Sequence, residues 1–343
     1  MPKRLVCTEH NVIGWQNYDL PQKLEPHQVR VRNTHGAEKH GTMAAFVHGH
    51  GNKRGQWDSV RQVFLPGGVA WNYPIPLGNM QVGLVEEIGN AVTTYAVNDR
   101  ILTFGSFAPT ALVDEATSWK LRADTDWKIA TCLDPAVYAL CALRDAHVRI
   151  GDAVAIFSLG AIGLMAVQLA KLAGCHPIIA IDPLANRRDV AAKTGADLTL
   201  NPIGTDVGLT LREATGGRGV DVVIEYSGAM EAIQASLRGV AFGGTIVLGG
   251  FPGPMKAGLD LGAEAHMNRP NITFSRSESD PNRDHPRWDH PRMRNTVHRM
   301  IVDGLLNARD IVTPVLKFSD NLITEYDHVC SNPTQNIKLG IEY

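Results

Sequence analysis

The feature that most restricts this chain lies between residues 153 and 172. There an apolar run, 153–157, breaks into Ser158-Leu159-Gly160-Ala161-Ile162-Gly163 and then resumes with helical spacing to Leu172. A strand must end, turn across nearly bare backbone and enter a helix at once. The first amides of that helix have no acceptor within it, and its dipole presents positive charge, so the turn suits a phosphate. Gly160 lets the backbone approach such a group, Gly163 lets helix and strand pack closely, and Ala161 and Ile162 contribute amides. Ser158 stands where a third glycine is usual and still permits a tight turn.

About twenty residues after Gly163, the next apolar run, 178–181, ends on Asp182. A carboxylate there accepts hydrogen bonds from both hydroxyls of an adenosine ribose and repels a 2′-phosphate, so NAD is the expected cofactor. The plainer alternative has Asp182 capping a helix that begins near Ala185. Around this pair, short β-rich runs at 153–157, 178–181, 197–200, 220–225 and 245–248 alternate with helical stretches at 164–172, 187–193, 205–215 and 229–240. Thr205 or Asp206 is placed to cap the third helix. Such alternation predicts an α/β fold with a doubly wound parallel sheet, the Rossmann arrangement.

Upstream the pattern is mainly β. Residues 82–101 read as hairpins turning at Gly89-Asn90 and Asn98-Asp99, and 49–76, rich in Gly, Pro and Trp, read as a functional or subunit-contact loop. Downstream, a polar stretch at 276–294 precedes a helix near 295–306, and 337–343 alternate as a strand. The polar stretch holds a small repeat, Asp284-His285-Pro286-Arg287-Trp288 followed by Asp289-His290-Pro291-Arg292-Met293. Its prolines predict an ordered loop, serving packing or subunit contact, or placing Arg287, Trp288 or Arg292 on a polar substrate.

At 343 residues the chain exceeds what one hydrophobic core usually holds, so two domains are expected. Its net charge of -2 gives no field for nucleic acid or an anionic membrane, and neither is an expected partner. The most apolar stretch, 153–167, is shorter than the roughly 20 residues that span a bilayer. No apolar segment follows the basic residues near the N-terminus, so no secretory signal is expected. Cys7, Cys132, Cys141, Cys175 and Cys330 are odd in number and scattered, which reads as reduced thiols in a cytoplasmic protein.

Over nearly its whole length the chain resembles the medium-chain dehydrogenase/reductase family, the zinc-type alcohol and polyol dehydrogenases. The resemblance rests on PLGNMQVGLVEEIGNAV at 76–92, NDRI at 98–101, GDAVAIFSLGAIGLMAVQLAKLAG at 151–174, IDPLANRRDVAAKTGAD at 181–197, GVDVVIEYSGA at 219–229 and GGTIVLGG at 243–250. It implies a GroES-like β catalytic domain, residues 1–133 and 274–343, built around a Rossmann NAD-binding domain, residues 134–273. It also implies a homo-oligomer, dimer or tetramer. Members of this family usually hold a catalytic zinc on a Cys in C-G-T/S-D, a His in G-H-E and a further acid or Cys near the domain junction. In this chain those positions carry His40, Asn79 and Asp134, with Met80 after Asn79, and the four-cysteine structural lobe is missing. Amide and thioether are poor zinc donors beside imidazole and carboxylate, so no bound metal is expected.

Oxidation of an alcohol without a metal needs side chains to receive the hydroxyl proton. Thr42 matches the family's Ser or Thr that bonds the substrate hydroxyl and is read as a relay. Lys39 and His40 are the candidate bases, Glu38 is placed to orient either, and Asn79 and Asp134 complete the catalytic set. The resemblance further implies that Gly228 and Gly249, with Gly250, flank the nicotinamide, that Arg187 lies beside the adenine, and that Lys338 faces the pyrophosphate. The expected activity is NAD-dependent hydride transfer to or from a secondary alcohol of a small polyol, sugar or similar substrate, with Trp57, Trp71 and Trp288 as candidate stacking faces. Two alternatives stand beside it: reduction of an activated double bond, as in the quinone reductases, and non-catalytic sensing of NAD(H).

Overall fold

The computed structural model describes residues 1–49, 55–67, 72–255, 258–277 and 284–343, and for His40 its backbone only. Trp71 and parts of the 49–76 and 276–294 stretches lie outside the described residues. The chain divides into two compact units, one of Met1–Cys132 with Val312–Tyr343, the other of Leu133–Ile311.

In the second unit six parallel strands run in the order Leu198–Leu200, Ile178–Ile181, Val154–Phe157, Val220–Glu225, Val240–Leu248, Asn271–Phe274. The chain starts in the middle, winds outward one way, then returns past its origin and winds the other way. That reversal leaves a crevice at the carboxyl ends of Val154–Phe157 and Val220–Glu225. Strands Val154–Phe157 and Ile178–Ile181 are buried at every position, as their unbroken apolar runs require of a sheet covered on both faces. The helices expected from periodicity form at Ala161–Leu172, Ala185–Thr194, Val207–Glu213 and Met230–Gly239, and Asp206 caps the third by accepting from the Leu209 amide at 3.0 Å.

This unit reaches further than residue 273. Helix His290–Val302 buries Met293, Val297 and Ile301 and packs on helix Leu133–Asp145. Gln168 fastens the next turn by donating to the Asn307 carbonyl at 2.8 Å and accepting from its amide at 2.7 Å. The expectation that prolines would keep the whole repeat out of a helix needs correction. Asp289 caps the helix, accepting from the Arg292 amide at 2.8 Å, and Pro291 lies in the first turn, where its missing N–H costs nothing. The first copy of the repeat remains a turn.

In the first unit, strand Gln28–Glu38 pairs antiparallel with Gly78–Ile88, which pairs in turn with Arg100–Ser106. The last strand, Lys338–Glu342, lies against the other edge of Gln28–Glu38 with Gly340 opposite Ala37. Asn98 takes the left-handed backbone (φ 72°) that the expected turn demands. Helices His40–Val47, Leu133–Asp145 and Leu322–Ser331 carried no strong signal.

Ile156, on the central strand, is 0% exposed. Ile156→Ala removes three carbons from a site with no room to collapse and is expected to destabilise the second unit by about 2–5 kcal/mol, read as a lower denaturation midpoint.

Candidate active site

The phosphate turn forms as the spacing requires. Ser158 ends the strand in left-handed backbone (φ 70°), a conformation a non-glycine residue adopts at some cost, and its amide donates to the Ile181 carbonyl at 2.9 Å. Gly160 is the helix N-cap, with nothing within 4 Å of where a side chain would begin, so its surface is open to a ligand. At Gly163 a Cβ would lie 2.0 Å from the Ser158 carbonyl oxygen, so helix and turn meet there only because no side chain intervenes. The first helical bond runs from the Leu164 amide to the Gly160 carbonyl at 2.9 Å, which leaves the Ala161, Ile162 and Gly163 amides without helical acceptors.

Asp182 is 2% exposed. One carboxylate oxygen accepts from the Leu159 amide at 2.8 Å and the other from the Leu184 amide at 2.8 Å, while the Arg187 guanidinium lies 3.7 Å away. Both oxygens are therefore pinned, and each retains a lone pair. They border a cavity of about 680 Å³ whose wall includes Ser158, Asp182, Arg187, Thr205, Ser227 and Arg238. That volume suits an adenosine, and the buried Arg187 Nε has no hydrogen-bond partner among the described residues. The turn, the pinned carboxylate and the cavity fit a dinucleotide.

Glu225 ends the next strand, 1% exposed, and braces the 226–228 turn by accepting from the Ser227 and Gly228 amides at 2.6 and 2.9 Å. Burial raises its pKa against these hydrogen bonds. No local pattern marks this brace. Gly228 has φ 67° and packs on Pro252, and a Cβ on Gly249 would fall 2.6 Å from the Tyr226 ring. Both glycines are thus required by the protein's own packing.

In the first unit, strand Gln28–Glu38 delivers Glu38 and Lys39 to the start of helix His40–Val47. The Lys39 carbonyl accepts the Thr42 and Met43 amides, each at 2.9 Å, which sets the first turn and leaves Thr42 half-buried. Asn79, also half-buried, is the ladder partner of Glu38. Glu38 is 0% exposed, and one of its carboxylate oxygens accepts from the Tyr326 hydroxyl at 2.7 Å. Burial, reinforced by the Glu38 charge, holds the Tyr326 phenol well above the usual tyrosine range, and the neighbouring Cys330 thiol is pushed up to about 12 by burial. Lys338 is 1% exposed, and its ammonium donates to the Glu38 carbonyl. Tyr326 was not legible as a site residue, because nothing in a helix of mixed character 288 positions away marks it as the partner of Glu38.

At the family's metal positions this chain carries His40, Asn79 and Asp134, and the His40 side chain is outside the described residues. Met80 is sealed in the core at 0% exposure, Asn79 offers an amide, and no group of three or more His, Cys, Asp or Glu converges among the described residues. Asp134 is buried in the first turn of helix Leu133–Asp145, in the second unit. Trp288 has the Arg144 and Arg292 guanidiniums 3.9 and 4.1 Å from its ring centre; Trp57 is exposed and meets Phe64 edge-on at 5.1 Å.

Residues 161–283 match the zinc-binding dehydrogenase family model. A D-guloside 3-dehydrogenase of Escherichia coli K12 is 40% identical over 351 aligned positions, covering 99% of this chain and 100% of the relative. Among solved structures, 2R,3R-butanediol dehydrogenase of Bacillus subtilis superposes with a TM-score of 0.80 at 20% identity, covering 100% of both chains. An alcohol dehydrogenase of Escherichia coli CFT073 complexed with NADH gives 0.78 at 17% identity, covering 100% of this chain and 99% of the other. Order of parts, phosphate turn, sheet topology and full-length identity agree, and the chain belongs to the medium-chain dehydrogenase/reductase family.

Proposed function

We propose that this protein is an NAD-dependent dehydrogenase of a secondary hydroxyl on a sugar, glycoside or polyol, working without catalytic zinc. The observation that carries the cofactor assignment is the Asp182 carboxylate, buried and held on both oxygens by the Leu159 and Leu184 amides. Its remaining lone pairs suit ribose hydroxyls, and because it cannot turn away, a 2′-phosphate would meet a fixed like charge. The substrate class follows from the full-length guloside 3-dehydrogenase relative, whose name describes oxidation at a secondary ring hydroxyl.

The bound nicotinamide would supply the hydride acceptor. The chain's own task is to hold the carbinol and remove its proton. Thr42, in the first turn of its helix, would accept the substrate hydroxyl's proton as its own leaves for Lys39 or His40. Asn79 and Asp134 would bind neighbouring hydroxyls. Ser158, Gly160, Ala161, Ile162 and Gly163 would take the pyrophosphate, with Arg187 beside the adenine and Gly228 and Gly249 shaping the nicotinamide end. Lys338 is better explained as a structural partner of Glu38.

A homo-oligomer is proposed through the open sheet edge, where Ile272 and Phe274 on strand Asn271–Phe274 are 46% and 64% exposed, with Phe242 on the paired strand Val240–Leu248 exposed at 63%. Five cysteines without a disulfide suit a reducing compartment, the cytoplasm. No helix among the described residues is long and apolar enough to cross a membrane.

Asp182→Asn keeps an acceptor but removes the charge, and should relax discrimination against NADP by about tenfold or more in kcat/KM. An unchanged ratio contradicts the assignment. Thr42→Val should lower kcat by about 10²- to 10⁴-fold with NAD affinity nearly unchanged; wild-type turnover would remove Thr42 from the relay. Metal analysis of active protein should find well under one zinc per chain, and chelators should spare activity. Activity on a panel of methyl glycosides, methyl D-guloside included, and polyols tests the substrate class, and no oxidation of any member would refute it.

A further inference from the structure

The first unit buries a carboxylate and an ammonium at the end of a strand, where apolar residues would cost less. Glu38 is 0% exposed, Lys338 1% and Tyr326 1%. Replacing buried charges by packed hydrophobic residues is often neutral or stabilising, so such a group needs a reason beyond stability. Here the reason lies one peptide bond away. Glu38 is followed by Lys39, whose carbonyl receives the Thr42 and Met43 amides and so fixes the turn carrying Lys39, His40 and Thr42.

We propose that Tyr326 is a positioning residue of the dehydrogenase reaction, which acts through Glu38 to hold the Lys39–Thr42 turn in the geometry for proton removal. The brace has three anchors on one residue. The Tyr326 hydroxyl fixes the Glu38 carboxylate at 2.7 Å, the Lys338 ammonium fixes its carbonyl, and the ladder with Asn79 fixes its backbone. Two of these anchors come from the far end of the chain, helix Leu322–Ser331 and strand Lys338–Glu342. The connection between those elements is itself tied down, since the buried Asn336 side chain donates to the carbonyls of Val329 and Asn332 at the helix end. A side chain at Glu38 therefore cannot turn, or its backbone tip, without breaking bonds that no solvent replaces. Tyr326 itself never touches substrate. A phenol that stays protonated is a constant donor, so the brace holds across the working pH range.

This inference rests on the relay reading of Thr42, and the experiment separates the two. Steady-state kinetics with whichever alcohol of the panel is turned over, NADH-binding stoichiometry and the solvent deuterium isotope effect on kcat are measured for Tyr326→Phe, Glu38→Gln and Glu38→Leu in the full chain. Tyr326→Phe should lower kcat by about 10- to 100-fold and raise the isotope effect, because a misplaced relay makes proton transfer limiting. NADH stoichiometry and KM for NAD should hold, since the cofactor lining belongs to the other unit. Glu38→Gln keeps an oxygen for the phenol and should retain most turnover, whereas Glu38→Leu should repeat the Tyr326→Phe loss, and the double variant Tyr326→Phe with Glu38→Leu should fall no further. Wild-type kcat in Tyr326→Phe, losses that add in the double variant, or turnover falling only in proportion to NADH-binding capacity would each overturn the proposal. Should Tyr326→Phe fail to fold, the contrast between Glu38→Gln and Glu38→Leu decides, and equal activity of those two overturns it. If Thr42→Val loses turnover while Tyr326→Phe does not, only the brace fails; if Thr42→Val keeps turnover, the relay itself fails.

Discussion

The Asp182 carboxylate, sealed from solvent, takes an amide hydrogen from Leu159 on one oxygen and from Leu184 on the other. These two bonds tie the phosphate turn after one strand to the exit of its neighbour, so the same group that shapes the turn also sets the charge at the rim of the adenosine-sized cavity. A carboxylate so placed would be costly if it were unpaired. The paired amides and the nearby Arg187 guanidinium offset that cost, and the price of the arrangement is that Asp182 has almost no freedom to adapt to a bulkier anion.

The second unit was largely legible because its signals are local. Strand 178–181 and the helices near 164–172 and 187–193 follow from unbroken apolar runs, helical spacing and a glycine turn, and the structure moves their ends by a few residues. The 284–293 repeat shows the limit of that logic. Proline in isolation signals a helix break, yet with Asp289 as cap Pro291 occupies the one turn that tolerates it. Assignment of 290–302 to the second unit depends on packing against Leu133–Asp145, a contact across more than 140 residues that no local pattern encodes.

The first unit was legible mainly through resemblance, and its chemistry less so. Lys39, His40 and Thr42 could be singled out from their motif, but the hydrogen bond from Tyr326 to Glu38 joins residues from opposite ends of the chain. Lys338 could be singled out as an informative basic residue, while the partner it serves, the Glu38 carbonyl, became visible only in the folded unit. Gly249 illustrates the same point: the resemblance implies that it clears space for a ligand, and the Tyr226 ring already requires its bare backbone. Buried polar groups are chosen by three-dimensional neighbours, so a sequence shows that they exist and seldom shows why.

The account stands or falls on a dinucleotide seated over the Ser158–Gly163 turn with its adenosine ribose against Asp182. Calorimetric titration of the folded wild-type protein with NADH and, separately, with NADPH reads this directly. The expected result is one NADH bound per chain and NADPH binding weaker by about tenfold or more. Absence of binding by both, or equal affinity for the two, would contradict it.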